Sequence, residues 1–385
     1  MNIAIFSSDI RGHYLEYIHH VYEMAAEDSQ NKYYFILPDR FLEIRRFFKW
    51  KELNNIEFCL FKSICDKPTD SYWQQCINSL KICSLLKQYL KQYKCEILYV
   101  NTIMYLLPFA PVLLKSCNCK VMGIIYKIYL YEDGNLLSRI VNRIKYLLLS
   151  KCSLFSNVLV LNDSDSAMKL NEIYATNKFQ PIPDPFVKLP VKDDFNFRKI
   201  YDIGSDKVVY AHIGALSINK STIEILTSLK YLDEQEKQHY VFVFAGSVHD
   251  EIRGQFYHLL EVLKSEIRII VEDRFCSYEE LASFCRNSDA LLIPYKRTSQ
   301  SSGIIGYASQ FGCPVIAPSK GLLGNLVKQY KLGILIDDIS PECLVNAYRV
   351  IANRDCEKPS EQYCNEHDAG RFQLVLKSCI NQIKN

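Results

Sequence analysis

Short, nearly continuous apolar runs alternate along this chain with longer stretches of helical spacing. NIAIFS, YYFILP, EILYV, KVMGIIY and VLVLN fall in the first half. KVVYAHIG, YVFVFAG, IRIIVE, ALLIPY, PVIAP and GILID fall in the second. Strands buried on both faces of a parallel sheet read this way. Between them Trp73, Ile77 and Leu80 recur at offsets of four and three, and Ile82, Leu86, Tyr89 and Tyr93 at four, three and four. That spacing predicts helices with one apolar face. Strand–helix–strand alternation predicts right-handed βαβ units and an α/β fold. The rhythm breaks once, between Phe179 and Asp206, in a stretch with four prolines and no period. This reads as a linker. The expected organisation is a Rossmann-like domain over 1–180, a linker over 181–206, a second Rossmann-like domain over 207–355 and a closing segment over 356–385. The two Rossmann-like domains are expected to face each other across a cleft at the carboxyl ends of their sheets, where ligands bind in open α/β folds.

Composition narrows the classes. Of 385 residues, 49% are hydrophobic and 23% charged, which excludes a disordered or fibrous chain. The net charge of +3 is too small to call for nucleic acid, and none is expected. The charge is uneven: residues 1–190 hold 23 basic and 18 acidic groups, the remainder 23 and 25. The 15 cysteines contain no C-x-x-C pair, so reduced thiols packed as small apolar residues are expected. The N-terminus lacks the basic region and long apolar core of a signal peptide, and no run is long enough to span a bilayer. A cytoplasmic protein is expected.

Three loops carry candidate chemistry. In ALLIPYKRTSQSSGIIGYASQFGCPVIAP a buried strand ends at Tyr295. A hydroxyl-rich loop, including Ser299, Gln300, Ser301, Ser302 and Gly303, then opens a helix that Gly312 ends. Unpaired amides and the helix dipole at such a start suit a phosphate; the plain alternative is serine capping. In VVYAHIGALSINKSTIEIL, Gly214 sits at a strand end and Lys220 opens the next helical stretch, where an ammonium group can neutralise a diphosphate; the plain alternative is a solvated surface lysine. In SSDIRGHYLEYIHH, Gly12 permits a turn and His13 opens a helix, placed to serve as a base near neutral pH; the plain alternative is a capping or packing histidine. His19 and His20 are expected to be structural. Asp163-Ser164-Asp165 looks like a metal-holding D-x-D, but its place after VLVLN fits helix capping. Cys117-Asn118-Cys119 lacks zinc spacing.

The ordered run VVYAHIGALSINKS, FVFAGS, YEELASFCRNSDALLIPY, SQSSGIIGYASQFGCPVIAP and GLLGNLV resembles the C-terminal domain of glycosyltransferase family 4, the "group 1" family of the GT-B fold. The resemblance covers about residues 205–350. The first half matches in rhythm, opening strand and Gly-His loop, and HDAGRFQLVLKSCINQIK resembles the C-terminal helix that returns to the first domain. The resemblance implies a nucleotide-diphospho-sugar donor, its diphosphate at Ser301, Ser302 and Gly303, and Lys220 as the cationic contact. It implies no metal or other cofactor, retention at the sugar carbon, and an acceptor entering from the first domain. The sequence departs from the family pattern at Ala215, where an arginine is frequent. It departs at Ser299 and Tyr307, where two glutamates are frequent, so Gln300 and Tyr307 are expected to take over sugar and ribose contacts. Tyr126 stands where a first-domain histidine is frequent.

The expected function is therefore transfer of a sugar to a glycan or lipid-linked acceptor in polysaccharide or glycoconjugate biosynthesis. Lys220 serves the leaving group and His13 the acceptor. The alternatives are a non-catalytic nucleotide-sugar-binding subunit of a glycan-assembly complex and a nucleotide-sugar 2-epimerase. SRIVNRIKYLLLSK places Ile140, Ile144, Leu147 and Leu148 beside Arg139, Arg143, Lys145 and Lys151. With RRFFKWK at 45–51 this suggests peripheral contact with an anionic inner-membrane surface; an ordinary packed helix is the alternative.

Overall fold

The computed structural model describes residues 1–64, 71–131, 136–192, 195–354 and 356–384. Residues 193–194 of the expected linker and Cys65 lie outside the described residues. The chain forms two compact units, Met1–Pro185 with Asp368–Asn385, and Phe186–His367.

The first unit carries a seven-stranded, all-parallel sheet. Its strands are β1 (Asn2–Phe6), β2 (Lys32–Pro38), β3 (Ile56–Phe61), β4 (Ile97–Val100), β5 (Lys120–Ile125), β6 (Phe155–Leu161) and β7 (Phe179–Ile182), in the order β3-β2-β1-β4-β5-β6-β7. Its longer helices are α1 (His13–Ala26), α2 (Tyr72–Gln92), α3 (Leu136–Lys151) and α4 (Ser164–Tyr174). Cores form on both faces of the sheet, one around Phe6, Leu98, Tyr146 and Phe155, the other around Ile5, Phe35, Tyr99 and Phe372. The second unit carries a six-stranded parallel sheet. Its strands are β8 (Val208–Ile213), β9 (Tyr240–Ala245), β10 (Arg268–Glu272), β11 (Ala290–Leu292), β12 (Val315–Pro318) and β13 (Gly333–Ile336), in the order β10-β9-β8-β11-β12-β13. The helices that matter below are α5 (Thr222–Ser228), α6 (Gly303–Ser309) and α7 (Gly321–Gln329), with α8 (Ala369–Lys384) returning to the first unit.

Four sequence expectations change. Strand β3, IEFCLF, was not legible as a strand. Strand β7, FQPI, stands inside the stretch read as a linker, and its pairing with β6 carries the first unit to Pro185 rather than 180. Residues from Phe186 onward pack with the second unit: Gly306 lies against the Phe186 ring, and Gln310 binds the backbone of Val187 and Leu189. The second unit likewise runs to His367, where that ring stacks on Tyr363, so the return to the first unit starts later than 356. Within α2 the buried stripe is Ser79, Ile82, Cys83, Leu86 and Leu90, whereas Trp73 and Leu80 face solvent. The second apolar set holds in part, through Ile82 and Leu86, and the first set lies on the outward side of one continuous helix.

In each sheet the strand order reverses once, at β1/β4 and at β8/β11. Loops leaving the carboxyl ends of neighbouring strands diverge there and leave room for a ligand. The loops singled out in the sequence follow β1, β8 and β11.

Candidate functional site

In the second unit the site is built on two loops. Gly214 follows β8 with φ +88°, and a Cβ on it would stand 2.9 Å from Lys220 Nζ and 3.9 Å from Ile304 Cδ1. A side chain is thus excluded twice, by backbone conformation and by the ammonium that occupies the space. Lys220 ends a single 3₁₀ turn, Ile218–Lys220. It is half-buried, with Nζ 5.2 Å from the centre of the Tyr295 ring, a separation within cation–π range. Among the described residues no carboxylate pairs with it. The neighbouring Lys296 is neutralised instead, 2.5 Å from Glu224 Oε1, and its amide donates to the Asn219 carbonyl. The two loops are therefore fastened to each other, and the pairing of Lys296 leaves Lys220 without a carboxylate among the described residues.

Behind the turn lies a buried polar chain. His212 is fully buried in β8. Its Nδ1 donates to the Leu292 carbonyl at 2.8 Å, so Nε2 accepts from Thr222 Oγ1 at 3.1 Å. Thr222 Oγ1 in turn accepts from the Ser217 amide at 3.1 Å. Burial first, and the Lys220 charge further down, push the His212 pKa down to about 3, against the upward pull of its bond to Leu292. The imidazole is neutral at physiological pH and serves as a fixed strut.

The serine loop approaches from β11. Thr298 packs against Gly321 at the start of α7, and its carbonyl accepts from the Leu323 amide. Ser302 is the N-cap residue of α6 with extended backbone, but its hydroxyl caps no amide. Ser299, Ser301, Ser302 and Gly303 are half-buried and Gln300 is exposed. Tyr307, expected at the ribose, is 4% exposed and offers little surface to a ligand. Sequence reasoning passed over the Tyr295 ring and the His212–Thr222 chain. Tyr295 was visible as the polar-tipped end of a buried run.

In the first unit, Gly12 caps α1, and His13 is exposed with Nδ1 3.1 Å from Glu16 Oε2. Tyr126 follows β5, donates to Asn101 Oδ1 at 3.0 Å, and meets Tyr14 and Tyr17 edge-on. Burial holds its phenol well above the usual value. Asn101 Nδ2 reaches Ser7 Oγ at 3.3 Å, and Tyr17 donates to Asp184. The carboxyl ends of β1, β4 and β5 thus carry one polar, aromatic cluster. Asn101 interrupts the apolar run ILYVNTIMYLL and carries no sequence signal of a site. The look-alikes resolve plainly: Asp163 caps α4 by accepting from the Ser166 amide at 2.9 Å, and His19 lies flat on Phe48 with its centroid 4.4 Å away. Among the described residues every cysteine is free.

Comparison with known proteins bears on the fold and the family. Residues 193–366 match the family "Glycosyl transferases group 1". No curated protein matches by sequence. Among solved structures, sucrose-phosphate synthase from Thermosynechococcus elongatus superposes with TM-score 0.75 at 13% identity, over 100% of this chain and 99% of that one. Anabaena HepE in complex with UDP-glucose gives 0.70 at 14%, over 99% and 100%. UDP-GlcNAc 2-epimerase from Methanocaldococcus jannaschii gives 0.62 at 12%, over 99% and 100%. The fold is the GT-B fold of two Rossmann-like units, and the family match spans nearly all of the second. Within this chain it is the second unit that matches the group 1 glycosyltransferases.

Proposed function

We propose that this glycosyltransferase takes its sugar from a nucleotide-diphospho-sugar, whose diphosphate is held by Lys220 and the Ser301–Gly303 loop. The observation that carries the reading is the half-buried, unpaired Lys220 ammonium beside Gly214 and Ile304. A cation kept out of bulk water without a carboxylate is stabilised by an anionic ligand. The UDP-glucose seen in Anabaena HepE supports a donor of this class. Ser299 and Gln300 lie beside the diphosphate loop and supply contacts to the donor. In the transfer the bond from the anomeric carbon to the diphosphate breaks, a bond to an acceptor hydroxyl oxygen forms, and the hydroxyl proton leaves to a base. Lys220 offsets charge growing on the diphosphate, an interaction stronger in the transition state than before it. No metal is assigned to this step, and retention at the sugar carbon follows the family pattern. The acceptor, a glycan or lipid-linked sugar, is assigned to the first unit. There His13 orients or deprotonates it, beside Gly12 and Tyr126.

A thermal-shift series with nucleoside diphosphates, paired with a donor-breakdown assay, tests this. A nucleoside diphosphate at about 100 times its dissociation constant adds about 2.7 kcal/mol of stability. Lys220→Ala is expected to lose most of that shift and to lower turnover about a hundredfold. Equal shifts and turnover in both proteins would discard the role of Lys220. Ser299 and Tyr307, standing where the family often carries glutamates, favour a second reading as a non-catalytic binding subunit. Binding with no donor breakdown assigns it, whereas breakdown without acceptor to a 2-epimerised sugar assigns an epimerase.

A further inference from the structure

Among the described residues no helix is long and apolar enough to cross a membrane, yet α3 wears its apolar residues outward. Leu136 is 74% exposed, Leu137 59%, Ile140 46%, Ile144 51% and Leu147 48%. At 100° per residue these five fall within one third of the helix circumference. The opposite face supplies Tyr146 and Leu149 to the core of the first unit. The expected alternative of an ordinary packed helix with a solvated polar face is therefore inverted: the polar groups do not cover the outer side. Lys145 is drawn inward to Gln75 on α2, 2.9 Å away, and burial lowers its pKa. Two residues before Gln75, Trp73 is 77% exposed.

Charge selects the occupant. Helix α3 contains Arg139, Arg143, Lys145 and Lys151 and no acidic residue. Arg139 and Arg143 are exposed and border the aliphatic stripe along one edge. A second copy of this helix offers no carboxylate to pair these arginines. An anionic lipid surface instead accepts the aliphatic side chains below the headgroups and pairs the guanidinium groups with phosphates. We propose that the outer face of α3 docks the protein peripherally on an anionic bilayer. The donor site is on the second unit, so this proposal stands apart from the nucleotide reading.

The test is co-sedimentation of the full chain with vesicles of phosphatidylcholine alone or with phosphatidylglycerol. The expected result is binding to the anionic vesicles only, weakened by high salt. Arg139→Gln with Arg143→Gln is expected to reduce partitioning about thirtyfold. Ile140→Glu with Ile144→Glu is expected to reduce it at least about tenfold, since two buried aliphatic chains are lost. Circular dichroism, and the thermal shift with a nucleoside diphosphate, should not change in either variant. Absence of vesicle binding, equal binding to both vesicle types, or undiminished binding by the glutamate variant would each overturn the proposal. So would a concentration-dependent dimer of the unmodified chain that ignores vesicles and dissolves in the glutamate variant.

Discussion

At the scale of single residues, Lys220 owes its state to the groups that do not bind it. Glu224 is spent on Lys296, and Gly214 leaves the space that the ammonium fills. Gly214→Ala should therefore act like a mild form of Lys220→Ala: it displaces Nζ and strains a left-handed backbone. A loss of about tenfold or more in turnover is expected, since misplacing a transition-state charge by a fraction of an ångström is costly. Steady-state kinetics with the donor checks this. The residue after Lys220 makes a separate point. Ser221 adopts φ +56° and is fully buried, with a hydroxyl that has no partner. Ser221→Gly removes both costs, against a gain of freedom in the unfolded chain, and should raise stability by about 1 kcal/mol. Chemical denaturation measures it, and a destabilised variant would refute the argument.

At the scale of elements, the 3₁₀ turn that carries Lys220 is tied to β8 and β11 through His212 and Thr222. Because His212 is held neutral, it makes stability depend on pH. Its folded value near 3 lies below the ordinary 6.5. Below pH 6.5 the unfolded chain binds a proton that the folded chain refuses. This contribution is complete above pH 6.5 and is lost as pH falls toward 3, by at most about 1.4 kcal/mol per pH unit. His212→Asn retains an N–H for Leu292 and should flatten that part of the profile of thermal midpoint against pH. An unchanged slope would show that other groups dominate.

The elements also show how far pattern reading reached. Eleven of the thirteen strands were legible as apolar runs, and the two that were not, β3 and β7, are the two edges of the first sheet. An edge strand has one face and one flank to satisfy rather than two. Strand β3 accordingly mixes buried and half-buried positions, and β7 carries Pro181 in its middle, where an edge strand tolerates it. The prolines that look like a linker are in part a strand. In α3 Ile140, Ile144 and Leu147 share one face as read, Leu148 packs against the core instead, and whether a face points inward is not a local property.

At the scale of the whole molecule, the chain leaves the first unit at Pro185 and returns at Asp368. Helix α8 then contributes Phe372, Leu376, Cys379 and Ile380 to the core that also holds Tyr17 and Tyr99. Removing residues 368–385 exposes several large side chains at roughly 1.5–3 kcal/mol each, a loss comparable with the stability of a whole domain. Hydrogen exchange should then show the first-unit sheet unprotected and the second-unit sheet protected. Uniform loss in both would mean that the units fold as one.

The sequence by itself determined the βαβ alternation, the two Rossmann-like units and the positions of the loops after β1, β8 and β11, because buried parallel strands and helix-opening loops are written in local composition and spacing. Tertiary structure decided which ammonium is paired, since Glu224, distant from Lys296 in the chain, comes within reach of Lys296 while Lys220 lies over the Tyr295 ring. It decided that His212 is a neutral strut, because burial sets its charge. It also decided that the aliphatic stripe of α3 faces outward, because a helix carries no label for which of its faces the rest of the chain will cover.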